Sequence, residues 1–430
     1  MGKSAGLLLV LVLLTASSLA TSLTAKAEPR TIIVPDNYPT IKEAIGNASL
    51  GDTVFVKKGT YEEQQLVICE TIKLTGENSE NTQIKIHPPW IEVIAPNPSY
   101  YDAAIKIKAN DVEISGFTIT SDGSISITGN GTQIEHNIID ASIVMTGYNQ
   151  TIALNQILKG ITCKGSYNNV VANNVSNREI YVTGSSNVIQ NNDISGVLYT
   201  SGAIISSGND NIIVKNNIAN ARYDGVYIVG SRNIICGNRI TGSSQGLELT
   251  EGNDNVVYAN FIGNNHWGVS MAYPELYETH PLTSPITFIN TLNQNNFVNN
   301  THQVNTEETR VSTYPWGNVT AILHHHGLFD KDGAGNYWDD YEGSDGDGDG
   351  IGDLPYVIDA HRSDNYPLIV PFDINSLSIE LPEWATLFLD SSPEPQQTET
   401  FPIALIAVAS VVTVAVVGVS LLFYFKKRKH

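Results

Sequence analysis

Charge is scarce in this chain, and positive charge is the scarcest. Charged residues make up 16% of the 430, with 24 Lys and Arg against 44 Asp and Glu, for a net charge of −20. A largely helical protein would expose Lys and Glu along its helices, so that class is excluded. Nucleic acid is excluded as a partner, because phosphate binding needs basic clusters. An acidic surface suits solubility and cation binding instead. Cysteine is nearly absent: Cys69, Cys163 and Cys236 are odd in number and far apart. That rules out a disulfide framework and a zinc spacing, and leaves packed or inert thiols.

Long apolar runs are missing except at the two ends. Residues 1–27, "MGKSAGLLLVLVLLTASSLATSLTAKA", carry a Lys, a short apolar run and then small residues. This is the pattern of a secretory signal, with cleavage after Ala20 or Ala27. Residues 401–425 contain no charge and are followed at once by "KKRKH" (426–430). The run is long enough to span a bilayer, and the basic flank places the C-terminus in the cytoplasm. The expected localisation is the cell membrane, single-pass, with the body extracellular.

What the chain has in quantity is asparagine in a fixed phrase, N-x-I-x-x-N-x-I. It reads "NNVVANNV" (168–175), "NVIQNNDI" (187–194), "NIIVKNNI" (211–218), "NIICGNRI" (233–240) and "NVVYANFI" (255–262). Weaker copies are "VEISGFTI" (112–119), "TQIEHNII" (132–139), "QTIALNQI" (150–157) and "NTLNQNNF" (290–297). The second polar position falls at Phe117, Asn137, Asn155, Asn173, Asn192, Asn216, Asn238, Asn260 and Asn295. A period of this length means a stacked solenoid. Leucine-rich grammar is absent, and apolar residues alternate at period two, as in "GVYIV" (225–229). Short strands stacked in this way make a parallel β-helix, with successive coils about 4.8 Å apart.

Stacking gives the asparagines a physical role. Each amide donates to one neighbouring coil and accepts from the other, forming a ladder at strand spacing. Without partners each buried amide would cost a few kcal/mol. At the N-terminal end, Thr40 and Glu43 in "YPTIKEAI" form a capping box that opens a short amphipathic helix. That helix covers the open end of the solenoid.

"IIVPDNYPTIKEAIGNASLGDTVFVKKGTYEE", the Asn-rich turns and "GNYWDDYEGSDGDGDGIGDLPYVID…DNYPLIVPF" together resemble the right-handed β-helix proteins of the pectin-lyase-like class. The likeness is greatest to the NosD-like branch of prokaryotic, particularly archaeal, cell surfaces, and covers residues 30 to about 372. It implies an all-β, right-handed parallel β-helix. The namesake is a periplasmic accessory protein of copper-enzyme maturation, and related modules bind or cleave polysaccharides. The expected domains are a signal (1–27), the β-helix with its N-terminal cap (28–300), a C-terminal cap (301–372), a Pro-rich acidic stalk (373–400), the membrane helix (401–425) and a basic tail (426–430).

"DGDGDGIGD" carries the sharpest chemistry. Asp345, Asp347, Asp349, the Ile351 carbonyl and Asp353 follow the first nine places of an EF-hand loop, which predicts calcium. The twelfth place is Tyr356 rather than a bidentate Glu, so Asp339, Asp340 or Asp359 would have to complete the site. A solvated acidic turn is the alternative. His324, His325 and His326 invite copper or zinc, but consecutive strand residues point to opposite faces, which favours a plain exposed loop.

The strand after each bend gives an outward column, Thr162, Tyr181, Ile204, Tyr227, Glu248 and Ser270, if the preceding Gly sets the register. Arg178, Tyr199, Tyr223, Asp224, His266 and Trp267 lie nearby. Tyr181, Tyr223, Asp224, Tyr227, Glu248, His266 and Trp267 are the candidate ligand-binding set, since sugar rings stack on aromatics and hydrogen-bond at their edges. Ordinary strand decoration is the bland reading. As an acid and base, Asp224 and Glu248 look poorly placed, about 11 Å apart at their α-carbons from strand dimensions. The NTD, GHG and RIK signatures of polygalacturonases are absent, as is a pectate-lyase-like calcium-plus-arginine cluster. Sequons at Asn47, Asn130, Asn149 and Asn318 are expected glycosylation sites; Asn299 is another triplet, and Asn174, beside the ladder, reads as poorly accessible. The expected function is an extracellular, membrane-anchored module that binds or displays at the cell surface, with polysaccharide or glycan as the expected ligand. A carbohydrate-active lyase or hydrolase and a copper-handling accessory protein are the alternatives.

Overall fold

Each repeat phrase folds into one coil of a right-handed parallel β-helix. The computed structural model describes residues 28–91, 100–271, 286–306, 312–314, 317–319 and 323–376. These all lie in the first of two compact units, Met1–Glu380. The signal, the apolar run at 401–425 and the basic tail lie outside the described residues, as does the stalk beyond Ser376. Among the described residues no helix is long and apolar enough to cross a membrane.

A coil contributes one strand to each of three parallel sheets. Ile212–Val214 lies in the first, Asn217–Ala219 in the second and Asp224–Val229 in the third. The chain then returns to the first sheet at Ile234–Cys236, which pairs in register with Ile212–Val214. Thirteen, twelve and eleven described strands build the three sheets in this way. Because register is kept from coil to coil, like residues stack inside. Ile152, Val170, Ile189, Ile213 and Ile235 form one buried file, and Ile157, Val175, Ile194, Ile218 and Ile240 another. Burying each such side chain contributes about 1.5–3 kcal/mol.

The asparagine column forms as expected. Asn155, Asn173, Asn192, Asn216, Asn238 and Asn260 each donate their backbone N–H to the next coil's Oδ1 at 2.9–3.0 Å. Their Nδ2 groups donate to carbonyls of the preceding coil, as Asn216 does to Ile189 at 2.8 Å. A second ladder occupies the first position of the phrase. Gln150, Asn168, Asn187, Asn211, Asn233, Asn255 and Asn290 are joined by the same backbone-to-Oδ1 bond. Most ladder residues follow one with positive φ, such as Lys215 (53°) before Asn216 and Asp210 (57°) before Asn211. The left-handed residue turns the chain sharply, and the amide after it satisfies the backbone groups that the turn frees.

At the N-terminal end, Thr40 Oγ1 accepts from Glu43 N–H at 3.1 Å and caps the helix Ile41–Gly46. Its buried Ile41, Ala44 and Ile45 join the core. At the other end the ladder crosses residue 300 and runs to Asn336, so the last coils fall within 301–372. There Trp338 is sandwiched between the rings of Phe297 and Tyr356, each at 4.4 Å.

Candidate functional site

The outer face of the third sheet gathers most of the candidate ligand-binding residues. Its register runs Thr162, Tyr181, Ile205, Tyr227, Glu248 and Ser270. Ile204, placed in this column by its glycine, is instead fully buried and pairs with Ile180. The reason is that Gly202 aligns with Asp224, one place earlier than the other glycines, and Ala203 fills the position of Gly225.

The carboxyls of Asp224 and Glu248 are in contact, although strand dimensions put their α-carbons about 11 Å apart. Strict alternation fails at Gly225 and Val226, which are both buried, and again at Gly246 and Leu247. A Cβ on Gly225 would lie 2.3 Å from Ile240 Cγ2, and one on Gly246 2.6 Å from Ile262 Cγ2. The backbone presses onto the core at these glycines, so residues three apart share the outer face. Gln245 Nε2 accordingly donates to Glu248 Oε2 at 3.0 Å, and the two carboxyls meet in a side-chain hydrogen bond. Burial first, then the Glu248 charge, hold the Asp224 carboxyl well above the usual carboxylate range. Burial raises Glu248 too. Asp224 Oδ1 is buried and receives no donor. Two touching carboxyls cannot both ionise, so the pair holds a proton between them.

Beside this pair, Asp224, Gln245, Trp267 and His302 stack in one register column. The Trp267 and His302 rings lie 4.3 Å apart and nearly parallel, and His266 stands edge-on 5.5 Å from His302. Tyr199 and Tyr223 are exposed on the turns that lead into this sheet, at 74% and 47%. Tyr181 and Tyr227 are half-buried on the sheet itself. Gln245 and His302 are members of this face that the sequence did not disclose. A 35-residue step between Asn260 and Asn295 separates His302 from the regular copies.

The acidic loop is a separate place. One carboxylate oxygen from each of Asp345, Asp347 and Asp349 lies within 4.8 Å of the other two. Asp345 also accepts from the backbone N–H groups of Gly348, Asp349 and Gly350, of which the last contributes most to holding its carboxyl below the usual range. Asp353 stands slightly apart and accepts from Gly346 N–H at 2.9 Å and Ser344 Oγ at 3.2 Å. Ile351 pairs with Leu368 in a β-bridge. Among the described residues no other group of three or more His, Cys, Asp or Glu converges in this way.

The histidine triplet sits in the strand Leu323–Leu328, paired with Ile286–Asn293, rather than in a loop. Pairing with a core sheet strand is what makes it extended; its side chains lie outside the described residues. Of the sequons, Asn47 and Asn149 are exposed, Asn130 is half-buried, and Asn318 lies in a short hairpin strand. Asn174 is exposed, because the outward positions of the second sheet alternate with its core file. Cys69 is an exposed free thiol, whereas burial pushes the Cys163 thiol up to about 11 and Cys236 to about 12.

Solved structures share this architecture. A mannuronic acid specific polysaccharide family 6 lyase from human gut microbiota is 16% identical, with a TM-score of 0.50 over 72% of this chain and 86% of its own. The A-module of a mannuronan C-5 epimerase from Azotobacter vinelandii is 10% identical, with a TM-score of 0.47 over 67% and 93%. The catalytic domain of an alpha-1,3-glucanase is 12% identical, with a TM-score of 0.46 over 72% and 69%. At such identities the likeness shows the fold alone. Among curated proteins none matches this sequence. The family model described as "Periplasmic copper-binding protein (NosD)" matches residues 46–343, more than half of the chain, and spans all three sheets of the solenoid. This right-handed parallel β-helix belongs to the NosD family.

Proposed function

We propose that the protein is an extracellular module, tethered to the membrane by residues 401–425, whose third-sheet face binds polysaccharide. One observation carries this reading: exposed or half-buried Tyr181, Tyr199, Tyr223 and Tyr227 and the Trp267–His302 stack flank the polar group of Asp224, Gln245 and Glu248. Aromatic faces take the apolar sides of sugar rings while carboxyl and amide groups take their hydroxyls. The lyase that shares the fold acts on a polysaccharide, which agrees with this reading. A glycan array probed with the full chain in detergent tests it. Retention of polysaccharide that is lost on Tyr223→Ala and Trp267→Ala is the expected result, and an array with no retained glycan ends the proposal.

A second reading rests on the Asp224–Glu248 pair. A carboxyl that keeps its proton at neutral pH is a competent general acid, and the face becomes that of a lyase or hydrolase. The contact is closer than the roughly 5–9.5 Å separation of glycosidase carboxylates, which favours binding over hydrolysis. Release of unsaturated or reducing ends from bound glycan would reverse that preference.

The acidic loop is read as a weak calcium site that orders the C-terminal cap, on the strength of its three converging carboxylates. Asn47, Asn130, Asn149 and Asn318 are the proposed glycan acceptors. A copper-handling role rests on the family's description and the His324–His326 triplet. Equal copper uptake by wild type and the triple alanine variant would remove the triplet from that role.

A further inference from the structure

The third-sheet face carries cations that the chain's own carboxylates do not use. Among the described arginines, Arg30, Arg232 and Arg362 pair with Asp52, Asp210 and Asp359. Arg239, on the second sheet, has no such pair among the described residues and lies over Phe261. On the third sheet Arg178 and Arg222 also have none among the described residues, although acids outnumber bases 44 to 24 in the chain. Each of these two lies against an exposed tyrosine. The Arg178 guanidinium is 5.7 Å from the centre of the Tyr199 ring, and that of Arg222 is 5.4 Å from the Tyr223 ring. Both arginines immediately precede third-sheet strands, Ile180–Val182 and Asp224–Val229, in coils two steps apart, or about 10 Å along the axis.

We infer that this strip selects an acidic polysaccharide, with Arg178 and Arg222 as the residues that recognise its anionic groups and Tyr199 and Tyr223 as the surfaces for its rings. The inference rests on the polysaccharide-binding reading above and names the class of ligand. A guanidinium held over a ring by a cation–π contact keeps N–H donors for a carboxylate or sulfate, and the contact restricts it before the ligand arrives. The neighbouring acids oppose this less than their number suggests: Asp224 and Glu248 are in contact and share a proton, so the pair carries one negative charge rather than two.

Calorimetric titration of the full chain in detergent, at fixed calcium, tests the inference with three probes: polygalacturonate, dextran sulfate and neutral dextran. The expected result is binding of at least one acidic polymer and not of dextran, with Arg178→Gln and Arg222→Gln each weakening it about tenfold or more, as loss of a charged hydrogen bond does. The polymer bound separates carboxylate from sulfate recognition. If dextran binds equally well, or an acidic polymer binds both arginine variants as tightly as wild type, the inference is overturned and the broader reading stands. If no polysaccharide of either kind binds, here or on the array, both fall.

Discussion

Asp364 stands beneath Asn336 where the next ladder asparagine would be. Asn336 donates its backbone N–H to Asp364 Oδ2 at 2.6 Å, just as Asn295 donates its own to Asn336 Oδ1 at 3.0 Å. The same carboxylate oxygen accepts from Trp338 Nε1 at 2.9 Å, and the other accepts from Tyr366 N–H at 3.0 Å. Asp364 is fully buried, so these donors offset the desolvation that raises its proton affinity. A carboxylate can end the column because it accepts without needing a further coil to donate to. Asp364→Leu should therefore cost about 3 kcal/mol or more, since it orphans buried donors, while Asp364→Asn should cost far less. Urea denaturation measures both. Equal losses would show that the acceptor is not what matters.

Within the column, Asn216 accepts from Asn192 through both backbone N–H and Nδ2, and donates to Ile189 and Asn238. Asn216→Ala should cost about 3 kcal/mol, whereas Asn174→Ala, on the exposed side of the second sheet, should change stability by less than about 0.5 kcal/mol. Because coils touch only their neighbours, hydrogen exchange should rise in the coils next to residue 216 before distant ones.

Much of this architecture was legible because one phrase specifies both core and bend. The isoleucines set the buried files, and the second asparagine set the ladder. The first asparagine forms an equal ladder, which a single-column reading missed although the residues share the same spacing. What escaped was local register. Whether Ile204 or Ile205 faces out depends on which coil partner Gly202 meets, and spacing from a glycine cannot supply that. Asp224 and Glu248 meet because Gly225 and Gly246 break alternation against Ile240 and Ile262, a packing fact with no trace in a period-two pattern.

Calcium should stabilise the C-terminal cap. At tenfold excess over Kd a single site adds about 1.4 kcal/mol, read as a rise in melting temperature that a chelator reverses. Asp347→Asn should remove the calcium-dependent part and leave the chelated midpoint near wild type. Asp345→Asn, which also loses an acceptor for the backbone N–H groups of its loop, should lower the chelated midpoint too. A midpoint indifferent to chelator in the wild-type protein would dispose of the ion.

Left-handed residues before the ladders offer a stabilising substitution. Lys215 is exposed with φ of 53°, a conformation that costs a side-chain-bearing residue about 1–2 kcal/mol. Glycine removes that cost but adds freedom to the unfolded chain, so Lys215→Gly should gain up to about 1 kcal/mol. Lys215→Val, β-branched at the same φ, should lose stability, and thermal melts of the two variants should move in opposite directions.

The Asp224–Glu248 pair should make stability depend on pH in a defined direction. Both carboxyls are raised, chiefly by burial, so the folded state binds more protons than the unfolded one above the ordinary carboxylate range. Stability from the pair is then complete below about pH 4, and it declines as pH rises through the raised folded values. Carboxylates that are lowered, such as Asp102 and Asp359, act in the opposite sense at lower pH, so the difference between wild type and a variant isolates the pair. Asp224→Asn removes one titrating group and gives Glu248 a permanent amide donor. Its melting temperature should exceed that of wild type at pH 8, and the gap should narrow or reverse at pH 4. Two melting curves that stay parallel from pH 4 to pH 8 would mean that the carboxyls ionise independently, and the proton-sharing pair would have to be given up.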